Sequence, residues 1–348
     1  MSALPDAPDV PDLLVVPVGS CPDPMPLRES ARVRVVGPRD PALPGALAAA
    51  DALVVWDGFD AAIDAAIDAA IDAAREGAGA LPRLRWVHTS SAGPDRLLSG
   101  ALLEHLRTRP AVLTCSRGVL DRDIAEYVLA CVLAFCKDLP TTLRLQAGHR
   151  WQHRTTLGLA GRRALVVGAG SIGTQAGRLL AALGVAVDGV VRSPRAPMAP
   201  FGALHGPAGL AALVGGYDVV VVTAPLSAAT RGLVGREVVA AMRPGTIVVN
   251  VGRGPVVDED ALLEALRAGR LGGVALDVWR TEPLPADSPW WEEPGAIVSP
   301  HLAGDAAGFD ERLEQLLHEQ VRRFAAGQAL LHVVDTAHGY AAAPTVQA

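Results

Sequence analysis

Short apolar runs without interruption, separated by breakers and by stretches of helical period, organise this chain. Leu13–Val18, Val33–Val36, Leu53–Trp56 and Trp86–Thr89 predict four buried strands in the first part. After Gly161 a more regular rhythm sets in. Runs at Ala164–Val167, Val185–Val191, Asp218–Thr223, Thr246–Val251, Val274–Val278 and Ala296–Ser299 alternate with helical patterns such as Glu259–Ala268. Strands that are apolar on both faces, alternating with helices, predict a doubly wound α/β fold built on parallel sheet.

Two helices stand apart. Ala61–Ala74 places Ile63, Ile67 and Ile71 at intervals of four, and Asp64, Asp68 and Asp72 likewise, so an Ile stripe packs and an Asp stripe faces water. Arg117–Lys137 is apolar around nearly its whole circumference, which predicts a helix buried in the core or at a subunit interface. The Ala-rich tail from Thr336 is expected to fray.

The first strand after Gly161 runs into Gly168-Ala-Gly170-Ser-Ile-Gly173 and then a helix. A GxGxxG between strand and helix predicts a dinucleotide site: a tight turn, backbone approach to the pyrophosphate, and close helix packing. Gly168, Gly170, Ser171, Ile172 and Gly173 form this cradle, and the helix N-terminus favours the anion. The next strand ends in Val191-Arg192-Ser193 with no carboxylate at its tip, Asp188 lying inside the strand. An NAD ribose is usually held there by Asp or Glu. Arg192 and Ser193 therefore predict NADP(H) in preference to NAD(H), through bonds to a 2′-phosphate.

Ligands of such sheets sit beyond the carboxyl ends of the strands. Three chemically capable residues follow strands there: Arg253, Glu282 and His301. His exchanges protons near neutrality, a neighbouring carboxylate stabilises its charged form, and Arg holds a carboxylate.

Composition narrows the field. Length 348 is enough for about two domains. A net charge of −6 argues against nucleic acid. Lys137 is the only lysine, which excludes a Walker loop and leaves one residue for Schiff-base chemistry. Cys21, Cys115, Cys131 and Cys136 form no CxxC pair and read as free thiols in a reducing compartment. No metal site is expected. The acidic, Pro-rich start lacks signal-peptide features, and no apolar run is long enough to span a membrane, so a cytoplasmic protein is expected.

Ordered motifs between about Leu113 and Gly304 resemble the D-isomer-specific 2-hydroxyacid dehydrogenase family, of the glyoxylate/hydroxypyruvate reductase type. They are TCSRG (Thr114–Gly118), AEYVLA (Ala125–Ala130), GAGSIG (Gly168–Gly173), Pro225-Leu226 with Thr230, Met242–Leu262, LDVWRTEPLP (Leu276–Pro285) and SPHLAG (Ser299–Gly304). The resemblance implies two Rossmann-like domains. Residues 117–301 would bind the dinucleotide, and 1–116 with 302–348 would form a discontinuous substrate domain. It implies catalytic roles for Arg253, Glu282 and His301 and adds Pro225, Thr230 and Asp277 to the cofactor set. It also implies a substrate-carboxylate loop at Ser91, Ala92 and Gly93, within a stretch that otherwise reads as a turn.

The implied reaction is NAD(P)H-dependent reduction of a small 2-oxo acid to the D-2-hydroxy acid. His301 would give the proton, Glu282 assist it and Arg253 orient the substrate. The family's dimers point to a homodimer, with the Val119–Lys137 helix as its surface. Trp56, Phe59, Trp290 and Trp291, in a chain poor in aromatics, are candidates for the substrate pocket. The alternative is a redox sensor that keeps the cofactor fold as a protein-interaction module without turnover.

Overall fold

The computed structural model describes residues 10–17, 27–28, 30–56, 67–73, 81, 83–98 and 100–337, and the backbone of 340–341. Cys21, Phe59, Ile63 and Asp64 lie outside them. The chain divides into two compact units, residues 1–119 with 307–348, and residues 120–306. These junctions fall three and five residues beyond those expected from the motifs.

The first unit is built on β1 (Asp12–Pro17), β2 (Arg32–Val35), β3 (Ala52–Trp56), β4 (Trp86–Thr89) and β5 (Val112–Cys115). All pair in parallel in the order β2-β1-β3-β4-β5. Side chains alternate across the sheet. Leu14, Val16, Leu53, Val55 and Val87 face one side, with α1 (Leu43–Ala49), the helical residues 67–73 (α2) and α3 (Gly100–Thr108). Leu13, Val15, Val54 and Trp86 face the other, which is covered by the returning helix α10 (Phe309–Ala325). Its Leu313, Leu317, Val321 and Phe324 recur at helical spacing and are fully buried, so a segment late in sequence completes the first unit. Acidic residues in its first turn and Arg322 and Arg323 in its last complement the helix dipole.

Within 67–73 the Ile stripe packs, with Ile67 and Ile71 fully buried. The Asp stripe is not uniformly wet. Asp68 is half-buried and its Oδ1 accepts from Leu102 N at 3.1 Å, satisfying the open N-terminus of α3. In the described part of the tail, β13 (Val334–Asp335) pairs antiparallel with β14 (Tyr340–Ala341), so the two residues of β14 do not fray, and 338–339 and 342–348 lie outside the described residues.

The second unit carries a seven-stranded, all-parallel sheet in the order β12-β11-β10-β9-β6-β7-β8. Its strands are β6 (Arg163–Val167), β7 (Ala186–Val190), β8 (Leu204–His205), β9 (Val219–Val222), β10 (Thr246–Asn250), β11 (Leu271–Leu276) and β12 (Ala296–Val298). Strands numbered upward run outward both ways from β6 and β9, the doubly wound order with its switch point between those two. One face packs on α4 (Asp121–Cys136) and α6 (Ser171–Ala182), the other on α7 (Leu210–Val214), α8 (Arg236–Ala241) and α9 (Glu259–Arg267). Helix α9 starts where Asp258 Oδ1 accepts from Ala261 N at 2.9 Å. The two-residue strand β8 and strand β5 escaped the periodicity reading, being too short or too mixed to register.

Helix α4 buries Ile124, Ala125, Val128, Cys131, Val132 and Phe135 inside this unit, leaving Leu129 and Leu133 half-buried. Most of its apolar circumference is therefore intramolecular. Solvent-facing apolar side chains lie instead on α5 (Leu139–Ala147) and just after it: Leu139, Leu143, Trp151 and Leu157. Among the described cysteines, Cys115, Cys131 and Cys136 are buried and form no disulfide.

Candidate active site

Loops at the C-terminal ends of the second sheet gather the expected residues. At the switch point, Gly168 (φ +108°) ends β6, and a Cβ there would lie 2.5 Å from Ala224 N, after β9. A Cβ on Gly173 would lie 2.3 Å from Gly168 O, whereas one on Gly170 would meet nothing closer than 4.0 Å. The first and third glycines are thus required by the protein's own packing. The middle one keeps open the face that a pyrophosphate would approach. No side chain caps α6, whose first N–H groups lack intrahelical acceptors. Ser171 Oγ donates to Asp121 at the start of α4, and Ile172 lies in the first turn. These residues fit a dinucleotide phosphate.

Asp188 serves the fold, since its Oδ2 accepts from Tyr217 Oη at 2.7 Å and from Arg163 Nη2 at 3.2 Å. Arg192 and Ser193 are both exposed beyond the tip of β7. After β9, Thr230 Oγ1 closes the Pro225–Thr230 turn by donating to Pro225 O at 2.6 Å and accepting from Ser227 N at 2.8 Å.

The acid–base pair forms at the other end of the rim. His301 Nδ1 is 3.0 Å from Glu282 Oε2. The other carboxylate oxygen, Oε1, accepts from Trp279 N at 2.9 Å, which fixes the group's rotation. An ionised carboxylate only accepts, so Nδ1 carries a proton and Nε2 is the nitrogen that exchanges one. Burial pushes the Glu282 carboxyl upward. The bonds from His301 and Trp279 N and the nearby charge of Arg253 outweigh it, and hold the group below its usual range.

His301 has φ +57°, the left-handed region that is unfavourable for a residue with a Cβ. Asp277, almost wholly buried, holds the backbone that follows: Oδ1 accepts from Leu302 N at 2.9 Å and Oδ2 from Ala303 N at 3.0 Å. Ser299 Oγ donates to the same Oδ1 at 2.7 Å, and Trp279 Nε1 donates to Ser299 O at 3.0 Å.

Arg253 follows β10. Buried Asn250 shapes its turn, with Oδ1 accepting from Gly252 N at 3.0 Å and Nδ2 donating to Arg253 O at 3.2 Å. A Cβ on Gly254 would lie 2.0 Å from Trp279 C, so only glycine lets the Arg253 loop press against the loop that carries Glu282. Glu259 is buried, which raises its carboxyl, and accepts from Arg280 N at 2.5 Å. Asn250, Glu259, Trp279 and Ser299 were missed as site residues. Polar types inside or next to apolar strand runs were the available signal.

In the first unit, Ser91–Gly93 follows β4 as a hydroxyl-braced turn: Ser91 N donates to Thr89 Oγ1 and Gly93 N to Ser91 Oγ, both at 3.2 Å. Ser116 N donates to Ser91 O at 3.0 Å, and Ala92 lies between. His88 supports this turn from beneath. Its Nε2 is 3.0 Å from Ser116 Oγ and its Nδ1 2.8 Å from Thr114 Oγ1. Ser116 Oγ gives its proton to Thr89 O at 3.0 Å, so it accepts from His88 Nε2–H. Thr114 Oγ1 accepts from Trp86 Nε1 at 2.8 Å and donates to Nδ1, a nearer acceptor than Val87 O at 3.4 Å. The pocket aromatics resolve differently. Trp56 is buried in the core of the first unit, Trp290 is buried against Trp279, and Trp291 is half exposed with Nε1 on Pro285 O.

A sequence model of the D-isomer specific 2-hydroxyacid dehydrogenase NAD binding domain matches residues 129–303. The chain is 34% identical over 237 residues to glyoxylate/hydroxypyruvate reductase B of Pectobacterium carotovorum, covering 64% of this chain and 69% of that one. The chain belongs to the D-isomer specific 2-hydroxyacid dehydrogenase family.

Solved structures agree. A family member from Xanthobacter autotrophicus, in complex with NADPH and MES, superposes with a TM-score of 0.77 at 30% identity, covering 95% of this chain and 100% of that one. An NADPH-dependent glyoxylate/hydroxypyruvate reductase from Sinorhizobium meliloti, in complex with NADP and sulfate, gives 0.75 at 27% identity, covering 94% and 100%. Membership makes this chain an NAD(P)-dependent D-2-hydroxyacid dehydrogenase on two parallel sheets. Among the described residues no helix is long and apolar enough to cross a membrane, and no group of His, Cys, Asp or Glu could hold a metal ion.

Proposed function

We propose that the chain reduces a small 2-oxo acid to the D-2-hydroxy acid, with NADP(H) preferred over NAD(H). The observation that carries the reading is the Glu282–His301 pair at 3.0 Å, in strand-end loops of the same sheet that carries the glycine cradle. When bound, the reduced dinucleotide supplies the hydride for the 2-oxo carbon. Gly168, Gly170, Ser171, Ile172 and Gly173 would hold its pyrophosphate, and Pro225, Thr230 and Asp277 complete the strand-end set toward it. Arg192 and Ser193 would take the 2′-phosphate, since Asp188 is committed to Tyr217 and Arg163.

His301 Nε2 gives its proton to the substrate oxygen as negative charge develops there, while Glu282 holds the ring's orientation and stabilises its charge. Arg253 draws the substrate carboxylate and aligns the carbonyl. The amides of Ser91, Ala92 and Gly93 are its further proposed partners. Relatives named for glyoxylate and hydroxypyruvate support a small side chain on the substrate.

NADPH oxidation against 2-oxo acids of increasing side-chain size tests the reading, with the smallest acids expected to turn over fastest. Arg192→Ala should reduce the NADPH-over-NADH ratio of kcat/KM by at least ~10-fold, the worth of one hydrogen bond to a charged group. Tight NADPH binding without turnover of any 2-oxo acid would instead establish the sensor. Equal efficiency of the wild type with both cofactors would overturn the preference. We also assign a homodimer, its surface on α5 and the following Trp151 and Leu157, because their exposed apolar side chains fit burial against a second copy. Sedimentation should find a dimer at micromolar concentration, and a monomer there overturns the assignment.

A further inference from the structure

We propose that Tyr127 is a positioning residue for His301, acting through Ser299 and Asp277. The proposal rests on the reading of His301 as proton donor. Tyr127 lies on α4, 172 residues away in sequence from Ser299, with Oη 2.5 Å from Ser299 Oγ. Both oxygens of Asp277 already receive backbone N–H groups, those of Leu302 and Ala303. A carboxylate only accepts, so the Ser299 hydroxyl gives its one proton to Asp277 Oδ1 and can only accept from the phenol.

The chain of donors therefore has one direction, from Tyr127 to Ser299 to Asp277. It ends on the two amides that follow His301, whose left-handed backbone must be held from outside. Burial pushes the Tyr127 phenol above its usual range, which keeps this donor protonated at every working pH.

Ser299 is the node of the arrangement. Its carbonyl accepts from Trp279 Nε1, and the backbone N–H of that same Trp279 fixes Glu282 Oε1. A shift of Ser299 is thus felt by both members of the acid–base pair. Helix α4 makes a firm anchor, because Val128, Cys131 and Val132 beside Tyr127 are buried in the core of the second unit. A chain that exists only to hold α4 on the sheet would change stability when broken. One that aims His301 changes the rate of the proton-transfer step.

A double-mutant cycle separates these outcomes in the full-length protein. Tyr127→Phe should lower kcat by ~5-fold, in line with the loss of one net hydrogen bond, while KM for the 2-oxo acid and Kd for NADPH stay within ~2-fold. In a His301→Ala background the same substitution should leave the residual rate unchanged, because a residue acting only through His301 has nothing left to position. An equal fall in that background, or no fall of kcat in the single variant, overturns the proposal while His301 stands as donor. Full activity of His301→Ala overturns the donor reading and this proposal with it. If Tyr127→Phe does not fold, Ser299→Ala breaks the chain at its middle and takes the same cycle, with Ser299→Thr, which keeps the hydroxyl, expected to retain activity.

Discussion

His88 lies inside β4, one residue before its end, whereas His301 lies three residues beyond the end of β12. Each strand pairs in parallel within its own sheet, and His88 precedes the Ser91–Gly93 turn whereas His301 itself sits in the loop after its strand. On the strand, His88 is fully buried, with each ring nitrogen committed to a hydroxyl, and burial together with the nearby His332 brings its pKa down to about 3. Past the strand, His301 is partly exposed and holds its Nδ1 on a carboxylate, so that Nε2 is the proposed proton donor. A ladder position surrounds a side chain with neighbours that must satisfy it. A position past the ladder leaves the ring partly exposed, at the cost of a left-handed backbone that Asp277 has to hold.

The contrast breaks most readily at His301. His301→Ala should cut turnover by at least ~10²-fold, as for loss of a general acid. Its thermal midpoint and NADPH affinity should stay near those of the wild type. A variant that keeps its turnover but loses stability would put His301 in the class of His88.

The reverse experiment is His88→Leu. It leaves the hydroxyls of Thr114 and Ser116 without their ring partner in a buried site, which costs ~2–3 kcal/mol in urea unfolding of the first unit. Chemistry in the folded fraction should change little. A loss of kcat without loss of stability would show that this ring takes part in the reaction.

Taken per pH unit, the smallest effect is pH dependence. His88 has its pKa lowered in the folded protein relative to 6.5, so between pH 6.5 and about 3 the unfolded state binds more protons than the folded one. The stabilisation is complete above 6.5 and lost as pH falls toward 3, at up to about 1.4 kcal/mol per pH unit. Acid titration of urea midpoints should show this slope in the wild type and lack it in His88→Leu. An unchanged slope in the variant would assign it to the carboxylates, Glu282 among them, whose lowered pKa acts with the same sign.

The strand runs and the glycine loop were legible because they depend on neighbours in sequence. An all-apolar run such as Val219–Val222 suits only a strand covered on both faces, and Gly168–Gly173 carries its spacing with it. Asp68 reads as solvated on a helical wheel, and only the approach of α3 turns its carboxylate into that helix's acceptor. The Arg117–Lys137 helix illustrates the same limit: its pattern required burial but left the partner open between core and second subunit. The fold supplied the core.

By itself, then, the sequence determined a doubly wound parallel α/β sheet, a dinucleotide cradle and an Arg, Glu and His at strand ends, because periodicity, turn chemistry and strand polarity are local properties. Tertiary structure decided which polar groups meet. Tyr127 and Ser299, or Glu282 and His301 with its unfavourable backbone, become partners only when separate loops converge. A hydrogen bond depends on distances of about 3 Å and on which atom holds the proton, and neither is encoded in spacing along the chain.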